Sequence, residues 1–234
     1  MLLRTIYKNI FGQRVLSGPF QGLQYIAESV GSVHFPKLLG TYERELWPQV
    51  EGLIAYAPDA LINVGAGEGY YAIGIARRLV NVRVVAFEAD ARGRNLIGQV
   101  AALNKVQARV EIRGTCTPAD LAAALRDARR PALVIDAEGA EGELLDPVGV
   151  PDLARTAVLV EVHDFIAPLG DLLLRRFAPT HHHQEIWSQP RTARDLPGLI
   201  RVMAYTPWRD QAVRAMDEDR PGPMRWFWFE PRSP

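Results

Sequence analysis

The chain of 234 residues has a single cysteine, Cys116, so no disulfide and no multi-cysteine zinc site can form within it. That scarcity makes a reducing, cytoplasmic compartment the expectation. An excess of either charge is missing too: Lys+Arg and Asp+Glu stand at 27 each. Such a balance gives no electrostatic footprint for nucleic acid or an anionic membrane, and no nucleic-acid partner is expected. Long apolar runs are also lacking, and nothing approaches the roughly 20 residues of a membrane span. The opening stretch, MLLRTIYKNIFGQRVL, is broken by Arg4, Lys8 and Arg14 and shows no secretory h-region. A short amphipathic helix over residues 1–11 is expected there, packing rather than lying on a membrane. There is no internal repeat and no low-complexity linker.

What remains is ordinary globular material, 48% apolar and 23% charged, long enough for a full core. Its centre is the stretch LINVGAGEGYYAIGIARRL, residues 61–79. Leu61 to Val64 reads as a buried strand. Gly65, Gly67 and Gly69 then alternate through a turn, and Tyr71, Ile75 and Leu79 recur at helical spacing. Strand, glycine turn and helix form the first crossover of a nucleotide-binding α/β sheet. The glycines allow a tight turn and close approach of a ligand, and the helix N-terminus suits an anionic group.

Upstream, Arg14 to Leu16 and Phe20 to Ile26 flank Ser17-Gly18-Pro19 as a hairpin or broken turn. A helix is expected over YERELWPQVEGLIAYA, with Thr41 as its N-cap and Pro48 tolerated near its start. Downstream, strands at 82–88, 108–112, 132–136 and 157–162 alternate with helices at 91–103, 118–129 and 141–145. This is the pattern of a Rossmann-like, doubly wound, mostly parallel sheet. In the last third, a helix at 169–177, a strand at 182–187 and a helix at 211–216 precede the aromatic strand MRWFWF, residues 224–229. That strand is expected to pair antiparallel with the sheet. One structural domain is expected, with residues 1–56 as a helical and hairpin extension and 57–234 as the cofactor-binding part.

Glu88 closes the second strand, nineteen residues beyond Gly69, where a nucleotide-binding fold places an acid for ribose hydroxyls. Asp136, Glu138 and Glu141 crowd the end of the fourth strand, facing the ligand crevice of an open α/β sheet. They could position a hydroxyl, act as general base, or hold a hard divalent cation, while Glu141 could instead cap the next helix. Glu161 and His163 alternate at the end of the fifth strand and would open onto the same crevice, His163 as a proton acceptor. The metal candidates are thus Asp136, Glu138, Glu161 and His163, though no metal is assigned. His181-His182-His183 is read as structural, since consecutive strand residues face opposite sides. Cys116 lacks an obvious base and is read as packing. Trp226 and Trp228, alternating with Phe227 and Phe229, are read as core.

These residues resemble the class I S-adenosylmethionine-dependent methyltransferases and, more narrowly, the FkbM-type family. The resemblance spans roughly Tyr42 to Asp164 and rests on VGAGEGYY (64–71), FEAD (87–90), ALN (102–104), IDAEGAE (135–141) and VEVHDF (160–165). It implies a seven-stranded sheet with an antiparallel C-terminal strand and a small-molecule hydroxyl, often on a sugar or natural product, as methyl acceptor. It implies S-adenosylmethionine bound by Asn63, Gly65, Ala66, Gly67, Glu68, Gly69, Tyr70, Glu88, Ala89, Thr115, Cys116 and Asp136. His163, Asp136 and Glu138 would be catalytic. Asn63 replaces the acid that many members carry before the glycine loop, shifting ammonium recognition toward Glu68 or Glu43. Thr115-Cys116 replaces the acid often found after the third strand. The competing readings are an NAD-dependent oxidoreductase, disfavoured by the Gly-x-Gly-x-Gly spacing, and a non-catalytic cofactor-binding protein. The N-terminal extension could serve as the arm of a homodimer.

Overall fold

The computed structural model describes residues 12–164 and 168–232. The helix expected over residues 1–11 lies outside them. Five parallel strands form the body of the sheet: β1 (Ala60–Val64), β2 (Arg83–Phe87), β3 (Val110–Arg113), β4 (Pro131–Ile135) and β5 (Ala157–Val162). Two later strands extend it, β6 (His181–Trp187) and β7 (Arg225–Pro231). The spatial order is β3-β2-β1-β4-β5-β7-β6, and β7 runs antiparallel to both of its neighbours. The aromatic strand therefore sits inside the sheet rather than at its edge.

β1, β4 and β5 are buried at every residue, as strands covered by helices on both faces must be. Alternate residues feed two apolar clusters. Leu61, Val84, Val134, Leu159, Trp226 and Trp228 face one side, against α2 (Trp47–Tyr56), α3 (Tyr70–Arg78) and α4 (Ala91–Leu103). Ile62, Phe87, Leu133, Val160, Phe227 and Phe229 face the other, against α5 (Pro118–Leu125), α6 (Glu141–Leu144) and α7 (Leu169–Phe177). A short α1 (His34–Leu39) packs on the first face together with Val15, Phe20, Leu23 and Tyr25. These belong to the expected hairpin, in which Val15 N–H donates to Leu23 O at 3.0 Å and Gly22 N–H to Val15 O at 2.8 Å. The last helix, α8 (Arg209–Arg214), inserts Ala212 into the same cluster.

The register aligns Val64 with Phe87 on one side and Ile135 on the other. Gly65, Glu88 and Asp136 therefore emerge side by side from the carboxyl ends of β1, β2 and β4. Between β1 and β4 the strand order reverses, which is where open α/β sheets place their ligand crevice.

Two expectations fail in an instructive way. Thr41 does not cap a helix starting at Tyr42: its hydroxyl lies 3.5 Å from Pro36 O. Glu43 takes a left-handed conformation (φ 45), Arg44–Leu46 makes one 3-10 turn, and the α-helix starts only at Trp47 without a side-chain cap. A helix from Tyr42 would have put Pro48 in its interior, where the missing N–H and the ring break it, whereas the later start leaves Pro48 in the first turn. Likewise α5 stops at Leu125 rather than running to Arg129. The Asp59 carboxylate accepts from the backbone N–H groups of Arg129 (2.8 Å) and Arg130 (2.9 Å) and holds that stretch at the amino ends of β1 and β4.

Candidate functional site

A cavity of about 320 Å³ opens at this reversal point, at the low end of the size range of small-molecule sites. One wall is the glycine turn: Gly65, Ala66 and Gly67, followed by Tyr70 at the start of α3. Gly65 is in a left-handed conformation (φ 70), and a Cβ there would sit 1.7 Å from Asp136 O, so this glycine serves the close approach of β1 to β4. Glu88 ties the turn to β2, accepting from Gly67 N–H at 2.6 Å and Asp90 N–H at 2.8 Å. Ala89, Thr115 and Cys116 continue the lining beyond β2 and β3. Burial pushes the Cys116 thiol up to about 12, so it is no ready nucleophile. Asn63 also faces the cavity. Its Nδ2 donates to Val134 O at 3.2 Å, while its buried Oδ1 has no hydrogen-bond partner.

Two residues of the expected cofactor set are not on the wall. Gly69 (φ 93) is the N-cap of α3 and packs toward Ile73 and Ile97. Glu68 is fully buried and does not line the cavity. It accepts from Lys37 Nζ (2.5 Å), Tyr25 OH (2.5 Å), Ser29 Oγ (2.7 Å) and Val30 N–H (3.0 Å). Burial alone would raise its pKa, but Lys37 and the hydroxyls hold it below the usual carboxylate range. Its four donors leave Glu68 no part in binding an ammonium group. It clamps the 25–37 segment onto the glycine turn instead, bringing Val30, Gly31, Ser32 and Lys37 to the cavity rim. Glu43, the other candidate, does line the cavity, bonded to Tyr71 OH and to Arg220 at 2.9 Å.

Beside the glycine turn, at the end of β4, stand Asp136 and Glu138. Glu138 (φ 50) and Gly139 (φ 104) are both left-handed, folding the chain back so that Gly139 N–H donates to Glu141 at 2.9 Å. Glu141 also accepts from Ala137 N–H at 2.9 Å and contacts His163 Nδ1 at 2.8 Å. It therefore orients the histidine rather than capping α6. His163 Nε2 faces Asp136 Oδ1 at 3.5 Å and Glu138 Oε2 at 3.6 Å. His163 itself is 2% exposed and does not line the cavity. β5 ends at Val162, so strand alternation no longer governs where His163 points, and only Glu161 of the expected pair faces the cavity.

The electrostatics of this wall are acidic. Burial, with Glu43, Glu138 and Glu141 nearby, pushes Asp136 up to about 7 against the pull of His163. Burial and the charges of Asp136 and Glu43 push Glu161 up to about 9, opposed by Arg220. Burial would lower the His163 pKa, but the Glu141, Asp136 and Glu138 carboxylates raise it overall. Hydrogen bonds from His163 and the backbone outweigh burial at Glu141 and lower its pKa.

Sequence reasoning missed Arg220, whose guanidinium bonds Glu43, Glu161 (3.0 Å) and Glu218 (2.9 Å) and so holds two cavity carboxylates. Within Asp217-Glu-Asp-Arg-Pro-Gly it reads as solvated charge, and no signal in the sequence singles it out. Tyr42 and Trp226 also line the cavity. His181, the one buried member of the histidine run, contacts Thr156 O at 2.9 Å through Nε2 and Thr180 Oγ1 at 2.8 Å through Nδ1. It is structural.

No protein-family model and no curated protein matches the chain by sequence. Solved structures do match it by shape. The O-methyltransferase TomG from Streptomyces achromogenes, involved in tomaymycin synthesis and solved with SAM, aligns at TM-score 0.52 and 13% identity over 98% of this chain and 96% of its own. The precorrin-6y C5,15-methyltransferase from Geobacter metallireducens aligns at 0.52 and 12% identity over 79% and 88%. An O-methyltransferase from Bacillus cereus, solved with SAH, aligns at 0.50 and 13% identity over 77% and 78%. The chain shares the fold of these methyltransferases. At such identity the likeness is one of architecture, and the site must be argued from its own residues.

Proposed function

We propose that the chain is an S-adenosylmethionine-dependent methyltransferase of FkbM type that methylates a hydroxyl on a small molecule. The observation that carries this reading is the meeting in one cavity of a glycine turn held by Glu88 with Asp136 and Glu138, which His163 backs from the buried side. Residues 57–234 form the cofactor part, and the 1–56 extension shapes the acceptor side through Val30 to Ser32, Tyr42 and Glu43.

The lining suits the cofactor. Glu88 has lone pairs left over for ribose hydroxyls, and the unpartnered Asn63 Oδ1 suits an ammonium donor. The Asp136 and Glu138 carboxyls on the wall favour a cationic ligand over an anionic one. When bound, S-adenosylmethionine supplies a methyl group already activated by its sulfonium, so the protein's share is mainly alignment. Asp136 and Glu138 accept the hydrogen bond of the acceptor hydroxyl, with His163 and Glu141 holding them from behind. A carboxyl near pH 7 in pKa is well matched to taking a proton at neutral pH.

Calorimetric titration with S-adenosylhomocysteine and NAD tests the cofactor, and the expected result is binding of the first alone. Binding of NAD alone would overturn the reading in favour of an oxidoreductase. Asp136→Ala and His163→Ala should each lower turnover about 100-fold or more, with far less effect on S-adenosylhomocysteine affinity. Unchanged turnover in both would remove the proton-transfer assignment. Tight cofactor binding with no transfer to a broad hydroxyl panel would favour a non-catalytic role.

A further inference from the structure

Among the described residues, β6 ends the sheet, with β7 along one side and no strand along the other. The bonds that flank the β6–β7 ladder tell which backbone groups face outward. Ser188 N–H donates to Met224 O at 2.8 Å, and Arg232 N–H donates to Thr180 O at 2.9 Å. In an antiparallel ladder, alternate residues turn both backbone groups to the same neighbour. The even residues of β6 therefore bond β7, and the register runs unbroken from His181 to Trp187, so the odd ones face out. Among the described residues, nothing bonds the backbone N–H or C=O of His183 or Glu185. His182, His183, Gln184 and Glu185 are exposed one after another, so the middle of the strand stands clear on both faces. Proteins commonly blunt such an edge with lysine, proline or a bulge, and β6 has none of these. The other edge, β3, is kept short at four residues.

A free edge of this kind accepts another strand, and the β6 sequence matches itself. Gln184 is its midpoint. Two copies paired antiparallel about a two-fold axis at Gln184 set His183 of one protomer opposite Glu185 of its partner, twice over. Both residues face outward, so each such pair exchanges its N–H···O bonds. Side chains directly opposite share a face, with Cβ atoms about 4.5–5.5 Å apart, within reach of an imidazole-to-carboxylate hydrogen bond. Arg225 donates to Glu185 Oε1 at 2.8 Å, which leaves Oε2 for the histidine. On the other face Gln184 meets Gln184, amide to amide. Neighbouring registers fit worse. A slide one way sets Glu185 against His181, whose imidazole is committed to Thr156 O and Thr180 Oγ1. A slide the other way sets Glu185 against Glu185, like charge on like.

We propose that the chain forms a symmetric homodimer in which two copies of β6 pair antiparallel through His183 and Glu185, joining the two sheets into one. The N-terminal extension takes no part in it, and the dimer does not depend on the methyltransferase reading. Trp187, 45% exposed, is covered in the dimer by the start of the partner's β6. β7 is antiparallel to both β5 and β6, so β6 runs in the direction of β1 to β5. The two-fold axis therefore turns the partner's cavity to the opposite end of the joined sheet, and neither cavity blocks the other.

The test is sedimentation equilibrium of the full chain across a wide concentration range, with backbone hydrogen exchange on the same samples. A species of twice the chain mass is expected, with exchange at the His183 and Glu185 N–H groups slowing as it forms. His183→Pro removes an outward N–H and spares the β7 ladder, so it should sediment as a monomer, with thermal melting showing that it is folded. His183→Glu sets carboxylate against carboxylate at both pairs and should weaken the dimer about 10–100-fold. Adding Glu185→His to it exchanges the two residues and restores both pairs in this register alone, so most of the loss should be recovered. This second set carries the test even where the proline variant melts early. A wild-type chain that stays monomeric would overturn the proposal. So would a double variant that dimerises no better than His183→Glu. A dimer untouched by His183→Pro would overturn it too, placing the contact elsewhere, the N-terminal extension included.

Discussion

Breaking the Lys37–Glu68 pair should loosen the cavity as well as the fold. Glu68 is fully buried and Lys37 nearly so, their charged atoms 2.5 Å apart. An exposed pair at that distance would be worth about 0–1 kcal/mol. A buried pair behaves differently, because removing one partner strands the other charge away from water, at a cost of about 3–5 kcal/mol. Lys37→Met leaves Glu68 with three donors, from Tyr25, Ser29 and Val30, so the lower end, about 3 kcal/mol, is expected. For a chain of this size that is a melting-temperature drop of about 6–12 °C. Glu68→Gln should cost at least as much, since Lys37 is then the stranded charge. The double variant should recover about 1–3 kcal/mol of the summed losses. Urea denaturation at pH 7 measures all three. The sign with pH follows from the depressed pKa of Glu68 in the folded chain. Its stabilisation is present above the unfolded carboxylate pKa of about 4.3 and is lost as pH falls through the folded value. The gap between wild type and Glu68→Gln should therefore narrow on acidification below pH 4 or so. Because Glu68 adjoins Gly67, both single variants should also weaken S-adenosylhomocysteine binding. Single losses below about 1 kcal/mol, or a gap that widens in acid, would refute the account.

Gly65→Ala should be far worse than Gly67→Ala. The first drives a methyl to 1.7 Å from Asp136 O at φ 70, whereas the second meets only Val30 O at 3.4 Å, at φ 56. Strain alone costs about 1–3 kcal/mol at either site, so Gly67→Ala should melt a few degrees early and Gly65→Ala should fail to fold cooperatively in calorimetry. Glu88→Ala removes the acceptor of two backbone N–H groups and should weaken S-adenosylhomocysteine binding about 10–100-fold by calorimetry. Cys116, its thiol pushed up to about 12 by burial, should react with iodoacetamide at pH 8 much more slowly than free cysteine, and more slowly still with S-adenosylhomocysteine bound.

Most of the sheet was legible because its strands are short apolar runs punctuated by glycine, proline or an acid. β5 and α4 fall at the residues expected, and β7 was marked by four consecutive aromatics. Glu88, Asp136 and Glu138 were also legible, since a strand's carboxyl end has a fixed place in such a sheet. Side-chain direction beyond a strand's end was not. Glu68 and Tyr70 are two residues apart, yet one clamps the N-terminal segment and the other lines the cavity, because the left-handed Gly69 between them turns the chain. His163 was found, but its burial behind Asp136 depends on the Glu138–Gly139 fold-back, which no periodicity announces. Arg220 was invisible because its three carboxylates are 59 residues away (Glu161), 177 away (Glu43) and two away (Glu218), and only the folded chain collects them.

The place of β7 sets a timetable for synthesis. β6 leaves the ribosome with no strand to pair with, because β7, its partner at every residue from His181 to Trp187, starts only at Arg225. β5 meanwhile has β4 on one side and an open edge on the other. For the time taken to make the intervening residues, the nascent chain carries an exposed apolar edge at Val158 to Val162, the kind of edge that invites pairing with another chain. Arrival of Arg225 to Pro231 closes both gaps in one step, and with them Trp226 reaches the cavity wall. The ligand pocket is thus among the last parts of the molecule to exist.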